Sequence, residues 1–360
     1  MHGLVRRHSA RPHRRGIYMP ERQPFGLAFI GCGGYGRSLA DSAARSSQLR
    51  IAACYDTDRA ASADFALKYK TQSCSDLDTL LARDEVEGVV IATPNNAHMP
   101  PAVEAARAGK HVFVDKPVAN TLEDALRIVS ETGRAGVTLA VGHNARRFPG
   151  HRRMKQLIAQ GVVGVPVTVE ANFSHSGGLG LTAAMWRSSR AECPGLPLMQ
   201  LGVHFTDTLQ YLLGDISEVS SFMGHAAIPA DNDDATVSLL RFKTGLLGYL
   251  GSNYASPHVY YINVYGTAGN LYCEGGQAVS LRKAGSAERE QFAVEPADTQ
   301  VEELDEFARS ARTGARVEVD GEVAVKALAV VSAALRSNQE GRPVRTDEVI
   351  EEARKAINGR

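Results

Sequence analysis

The strongest constraint on this chain's fold is a glycine-rich turn, Gly31-Cys32-Gly33-Gly34-Tyr35-Gly36, between an apolar run ending at Ile30 and the start of a helical pattern. Such a turn needs a backbone with little side-chain bulk where a strand hands over to a helix, a juncture that recurs in parallel sheets joined by crossover helices. The same rhythm continues to about residue 143. Short apolar runs at 26–30, 50–55, 88–92, 111–114 and 138–141 alternate with helical spacing. Met99, Ala102, Val103 and Ala106 fall at i, i+3, i+4, i+7, as do Leu122, Ala125, Leu126 and Val129. This alternation predicts an α/β unit, a doubly wound parallel sheet.

After Arg147-Phe148-Pro149-Gly150 the pattern changes. Helical stretches are expected near 153–159, 198–213, 301–312 and 323–337. Strand-like runs fall at 163–172, 219–224, 235–242, 246–253, 259–265 and 270–273. Consecutive strands with glycine turns and no helices between them predict an α+β unit with an open, mainly antiparallel sheet. A chain of 360 residues suits two such units. The boundaries expected are 25–147 and 148–345, with the helices at 301–337 packing back on the first unit. Residues 346–360 form a peripheral helix or tail, and residues 1–24 a disordered basic extension.

Lys plus Arg equals Asp plus Glu at 40 each, which removes a general electrostatic case for nucleic acid or an anionic membrane. The partner expected is a small molecule. Six arginines and one glutamate lie in residues 1–24, leaving 34 basic and 39 acidic side chains in the remainder. No apolar run follows the arginine pairs, so no secretory or twin-arginine leader is expected. Five scattered cysteines without a Cys-x-x-Cys pair suggest a reduced, cytoplasmic chain without structural zinc, and no metal site is expected.

The turn at 31–36 lets a backbone approach a pyrophosphate and places it on a helix N-terminus. Gly31, Cys32, Gly33, Gly34, Tyr35 and Gly36 are therefore candidate cofactor contacts. Asp56, ending the next strand, can accept hydrogen bonds from ribose hydroxyls and repel a 2′-phosphate, which favours NAD; Arg59 keeps NADP as the alternative. Asp56 could instead cap the helix starting near Arg59. Thr93, Pro94, Asn95 and His98 follow another strand at the sheet's carboxyl edge, as cofactor contacts or as an ordinary helix cap. In Asp115-Lys116-Pro117, Lys116 ends a buried strand and would face the nicotinamide, unless it is a surface lysine in a loop. Gln200, His204, Asp207 and Tyr211 make one polar stripe roughly a quarter turn or more from Leu201, Phe205, Leu209 and Leu212, as a helix lining a cavity would, unless His204 is satisfied by packing or by Asp207. Asn144, Arg147 and Arg187 add donors at the same crevice, while Tyr254, His258, Tyr260 and Tyr261 read as sheet or interface residues.

In this order, the turn at 31–36, Thr93-Pro94-Asn95 with His98, Lys116-Pro117, and Gly202-Val203-His204 with Asp207 resemble the Gfo/Idh/MocA family. These oxidoreductases are named after glucose-fructose oxidoreductase, inositol dehydrogenase and a rhizopine-catabolism protein. The likeness runs from about residue 25 to 344. It implies an N-terminal Rossmann domain and a C-terminal domain whose open sheet forms a homo-oligomer interface, in a dimer or tetramer. It further implies that Lys116 and His204 are catalytic, with Asp115 beside the cofactor. Two departures stand out. Asp115 replaces the family's usual glutamate, and Gln200 replaces the aspartate that many members carry four residues before the histidine. Glutamine cannot take a proton, so proton transfer falls to Lys116 and His204.

The expectation is an NAD(P)-dependent dehydrogenase acting on a secondary hydroxyl of a sugar, polyol or sugar derivative. Lys116, Asn144, Arg147, Arg187, Gln200 and His204 would meet the substrate, with Arg147 foremost for an acidic sugar. One rival is an enzyme that reduces and reoxidises held NAD within a turnover, for glycosidic elimination or epimerisation. A second is a non-catalytic dinucleotide-binding sensor.

Overall fold

The computed structural model describes residues 23–359, so the expected disordered extension falls, up to residue 22, outside the described residues. The first unit is built on β1 (Phe25–Ile30), β2 (Leu49–Tyr55), β3 (Gln72–Ser73), β4 (Gly88–Ile91), β5 (His111–Asp115) and β6 (Leu139–Gly142). They pair in parallel in the order β3-β2-β1-β4-β5-β6. Between them run α1 (Gly34–Arg45), α2 (Arg59–Tyr69), α3 (Leu77–Leu81), α4 (Met99–Arg107) and α5 (Leu122–Ala135). Every residue of β1 and β4 is buried, because helices cover both faces of a doubly wound sheet. The strand order reverses between β1 and β4. At such a switch point the loops leaving the two strands diverge and open a crevice at their carboxyl ends.

The second unit begins with α6 (Pro149–Ala159) and β7 (Pro166–Ser174), followed by α7 (Val203–Leu213). Then come β8 (Ile216–Gly224), β9 (Ala235–Phe242), β10 (Leu247–Asn253), β11 (Val259–Gly266), β12 (Gly269–Glu274), β13 (Ala278–Lys283) and β14 (Glu290–Phe292). The chain closes with α8 (Thr299–Thr313), α9 (Gly321–Glu340), β15 (Val344–Arg345) and α10 (Thr346–Asn358). The nine strands run β14-β13-β12-β11-β7-β10-β9-β8-β15. All pairs are antiparallel except β7 with β10. One face packs on α7 and α9; strand β9 alternates buried and exposed residues, as a half-covered strand must.

Two features join the units. Phe307 of α8 meets Phe25 and Phe113 edge-on at 5.8 Å each, within the core of the first sheet. Arg146, in a short turn after β6, clasps Asp207 of α7, with Nε donating at 2.9 Å and the second guanidinium nitrogen also bonded. Both groups are almost fully buried. Asp207 therefore belongs to this clasp and not to the polar stripe's open side. Removing one partner of a buried pair leaves a charge without an answer. Asp207→Ala should lower unfolding stability by about 3–5 kcal/mol in urea melts, and the Arg146→Met, Asp207→Leu double variant should lose less.

Candidate active site

A cavity of about 460 Å³ opens at the switch point, lined by the glycine turn, the end of β2, the loop after β4, Asp115, Trp186, Arg187 and Gln200. The turn's glycines divide the labour. Gly31 has φ +96°, and a Cβ there would lie 2.7 Å from the Ala92 carbonyl oxygen. A Cβ on Gly36 would lie 2.1 Å from the Gly31 carbonyl oxygen, so this glycine permits the close packing of helix on strand. Gly33 and Gly34 have open space where a side chain would stand, and they line the cavity. Gly33 caps α1 without a side-chain acceptor, so the first N–H groups of the helix are available to an anion.

Asp56 lines the same cavity at the end of β2. Its Oδ2 accepts the Cys32 N–H at 2.7 Å and its Oδ1 the Asp58 N–H at 2.9 Å. The cap of α2 is Asp58, which answers the N–H groups of Ala60 and Ala61. Thr93, Pro94 and Asn95 line the cavity too, and Asn95 Nδ2 is buried without a partner, a donor that a bound molecule can answer. Open glycines, free helix N–H groups, a carboxylate at the second strand's end and an orphaned amide suit a dinucleotide.

Several expected contacts lie elsewhere. The Cys32 thiol is buried with its sulfur 3.7 Å from the Tyr55 carbonyl, so this residue offers only backbone. Arg59 does not line the cavity; its Nη1 donates to the Cys74 carbonyl. His98 is fully buried, its ring nitrogens 3.0 Å from Pro117 O and 2.9 Å from Thr93 O, and burial pushes its pKa down to about 4. It braces the two loops that frame the crevice. Asn144 donates to Thr299 Oγ1 of α8 at 3.1 Å. Arg147 pairs with Glu306 and Glu318 and lines a separate hollow, because α8 and the loop before α9 bring two carboxylates to it.

Lys116 and His204 are not among the residues lining the cavity; they adjoin its Gln200 wall, Lys116 through a bond to Gln200 and His204 one helical turn after it. Lys116 is 9% exposed, and its Nζ donates to the Gln200 carbonyl at 3.0 Å. The peptide after it is cis. Burial draws the ammonium below the ordinary lysine range, against the opposing pull of Asp115. The helix expected over 198–213 is divided, with a π turn at Leu198–Gly202 preceding α7. A Cβ on Gly202 would fall 2.5 Å from Leu198 Cδ1, so a larger residue there would have to push the Leu198 side chain aside. His204 follows, half-buried, with Nδ1 free of any partner. Burial holds its pKa well below the ordinary value, helped by the charges of Lys116, His143 and His151, so the imidazole is neutral at pH 7. Gln200 Oε1 accepts from Arg187 Nε at 3.2 Å, and its Nε2 points to Cys193 Sγ at 3.4 Å.

Glu303, outside the cavity lining, is a buried acid that the sequence reading does not single out. This α8 carboxyl is 4% exposed, Oε1 has no partner, and burial raises its pKa well above the ordinary range, with Asp115 adding to the effect. A signal exists in the chain: Glu303 sits one turn before Phe307, on the face where Leu304 and Ala308 also pack. Among the described residues no cluster of His, Cys, Asp and Glu is placed to hold a metal, and no helix is long and apolar enough to cross a membrane.

Comparison with known proteins agrees with this geometry. Residues 25–143 match the model of the GFO/IDH/MocA oxidoreductase family, NAD-binding Rossmann fold, and residues 151–272 match the GFO/IDH/MocA C-terminal domain. The chain is 31% identical over 203 residues to 1,5-anhydro-D-fructose reductase of Ensifer adhaerens, which covers 56% of this chain and 60% of that relative's length. It is 28% identical to 2,7-anhydro-N-acetylneuraminate hydratase of Escherichia coli, across 89% of this chain and 97% of the other. A crystal structure from Desulfitobacterium hafniense, described as a candidate NADPH-dependent oxidoreductase, superposes with a TM-score of 0.87 at 34% identity, covering 91% of this chain and 99% of that one.

Burial pushes the Asp115 carboxyl from its ordinary 3.8 up to about 6. An acid with a raised folded-state pKa holds its proton more tightly when folded, so its contribution to stability falls as pH rises between those values. Asp115→Asn should flatten this part of the stability profile in urea melts run across the window, and an unchanged slope would show that Asp115 titrates normally.

Proposed function

Because this chain belongs to the GFO/IDH/MocA oxidoreductase family, we propose that it is an NAD-dependent dehydrogenase acting on a secondary hydroxyl of a sugar, polyol or sugar derivative. The observation that supports this reading is the Lys116 ammonium held on the Gln200 carbonyl, with its charge acting on a neutral, half-buried His204 one helical turn later. Residues 25–147 hold the dinucleotide and residues 148–345 the substrate. The Gly31–Gly34 backbone receives the pyrophosphate, Asp56 the adenosine ribose, and Asp115 with Asn95 the nicotinamide end. Bound NAD supplies the hydride acceptor. His204 takes the hydroxyl proton, and Lys116 orients the oxygen and stabilises its developing negative charge. Gln200 and Arg187 hold the rest of the substrate. Five free, buried cysteines fit a reducing, cytoplasmic setting.

A second reading is favoured by the relative named a hydratase, which aligns along 97% of its length. On this second reading NAD bound to this chain is reduced and reoxidised within a turnover, and product forms without net NADH.

The exposed face of the nine-stranded sheet supports a homo-oligomer. Phe222 opposes Val237, Leu239 opposes Tyr249, and Phe222 and Leu239 are 73% and 58% exposed. Such a contiguous apolar face suits a second copy of the same sheet.

Incubation with NAD and a panel of sugars, inositols and sugar acids, followed by absorbance of the reduced ring, tests the dehydrogenase; product without NADH selects the second reading. Lys116→Ala should bind NAD yet lose about 10²–10⁴-fold in kcat, and normal turnover would remove Lys116 from the mechanism. Since a base must be unprotonated to accept a proton, and His204 is depressed from 6.5, kcat/KM for oxidation should fall only below that pH. Sedimentation should give a dimer or larger assembly, with Leu239→Lys shifting it toward monomer.

A further inference from the structure

The arginines near the cleft differ in one respect. Arg146 pairs with Asp207, Arg147 with Glu306 and Glu318, Arg152 with Glu318, and Arg190 with Asp233. Arg187 has no carboxylate partner among the described residues. Its Nε donates to Gln200 Oε1 at 3.2 Å, its Cζ lies 4.4 Å from the Trp186 ring centre, and it lines the cavity beside Asp115. A half-buried guanidinium facing a concave, partly dehydrated site is poorly compensated until an anion arrives.

The groups around it do not supply that anion. The Cys193 thiol and Tyr254 phenol are each pushed up to about 12 by burial and stay neutral. Of the two acids lining the cavity, Asp56 accepts the backbone N–H groups of Cys32 and Asp58, and Asp115, whose Oδ1 accepts the Lys116 backbone N–H at 2.7 Å, is shared between Arg187 and the Lys116 ammonium. Gln200, which holds the Nε edge, is neutral. Bound NAD would add one positive charge at its nicotinamide end, beside Asp115, and two negative charges at the diphosphate, which the reading above seats on the Gly31–Gly34 turn. At the Arg187 end, Arg187 and Lys116 face the single carboxylate of Asp115, so the local balance of the protein's own groups is positive.

We infer that the substrate carries a carboxylate, received by the Nη1 and Nη2 end of Arg187, and that the site therefore selects sugar acids over the corresponding neutral sugars. This rests on the dehydrogenase reading above and narrows its substrate class. Gln200 occupies Nε and so leaves the end-on pair of donors, whose spacing matches the two oxygens of a carboxylate. Trp186 stacks on the guanidinium and limits its swing. Gln200 is then a positioning residue, and Arg187 the residue that sets specificity.

Trp186 is the chain's sole tryptophan, so its emission reports on Arg187 directly. The NAD-saturated protein is titrated with glucuronate against glucose and galacturonate against galactose, with glucose 6-phosphate as a third arm. The acids should saturate the signal at concentrations about 10-fold to 100-fold lower than their neutral partners. Arg187→Gln should bring the ratio near one, and Arg187→Lys should keep part of it. Equal response to acid and neutral sugar, silence toward the acids, stronger binding of the phosphate, or a preference that survives Arg187→Gln would each overturn the inference. So would weaker NAD binding in Arg187→Gln with acid preference intact, which assigns the guanidinium to the cofactor. NADH assays on the same pairs separate the two levels. Selective acid binding without NADH overturns the dehydrogenase reading alone, whereas NADH from sugars without acid preference overturns this inference alone.

Discussion

A buried ammonium must find an acceptor, and the carbonyl that answers Lys116 belongs to the other half of the chain. That requirement ties the end of β5 to the turn before α7 and fixes the distance between the two lobes. Nearby contacts secure the arrangement: the Arg146–Asp207 clasp and the edge-on contacts of Phe307 hold the second unit against the first, while His98 braces two loops within the first. The crevice is therefore made by docking, since its walls come from both units.

The electrostatics follow from that closure. Water is excluded around Asp115, Glu303, Lys116 and His204, and each is driven toward its neutral form. A neutral imidazole can accept a proton and a buried ammonium can stabilise a developing negative charge, which suits oxidation of a hydroxyl group. The same exclusion leaves an unpaired guanidinium such as Arg187 conspicuous, because little solvent remains to screen it.

Local chemistry is legible in the amino-acid order alone. The glycine turn, Asp56 and the short apolar strands depend on neighbours in sequence, so their spacing announces a doubly wound sheet and its crevice. Lys116 is legible too, as a cation at the end of an apolar run. Pairing at a distance is not. Arg147 and Arg187 look alike in the chain, and only folding brings Glu306, 159 residues away, to the first and leaves the second without an acid. His98 likewise carries no sign that both its nitrogens meet loop carbonyls. The π turn is hidden because a helical pattern reports periodicity and not the hydrogen-bond register beneath it.

Strand β7 lies between β10 and β11, so the middle of the second sheet is occupied by its earliest strand. Neither flanking partner exists until roughly eighty further residues have been synthesised, and distant pairings of this kind delay folding. During translation β7 therefore waits with both edges unsatisfied, while the preceding Rossmann unit can already have formed. The cell must protect that waiting strand, which makes the second sheet, and not the nucleotide-binding half, the part of this molecule where biosynthesis is most easily derailed.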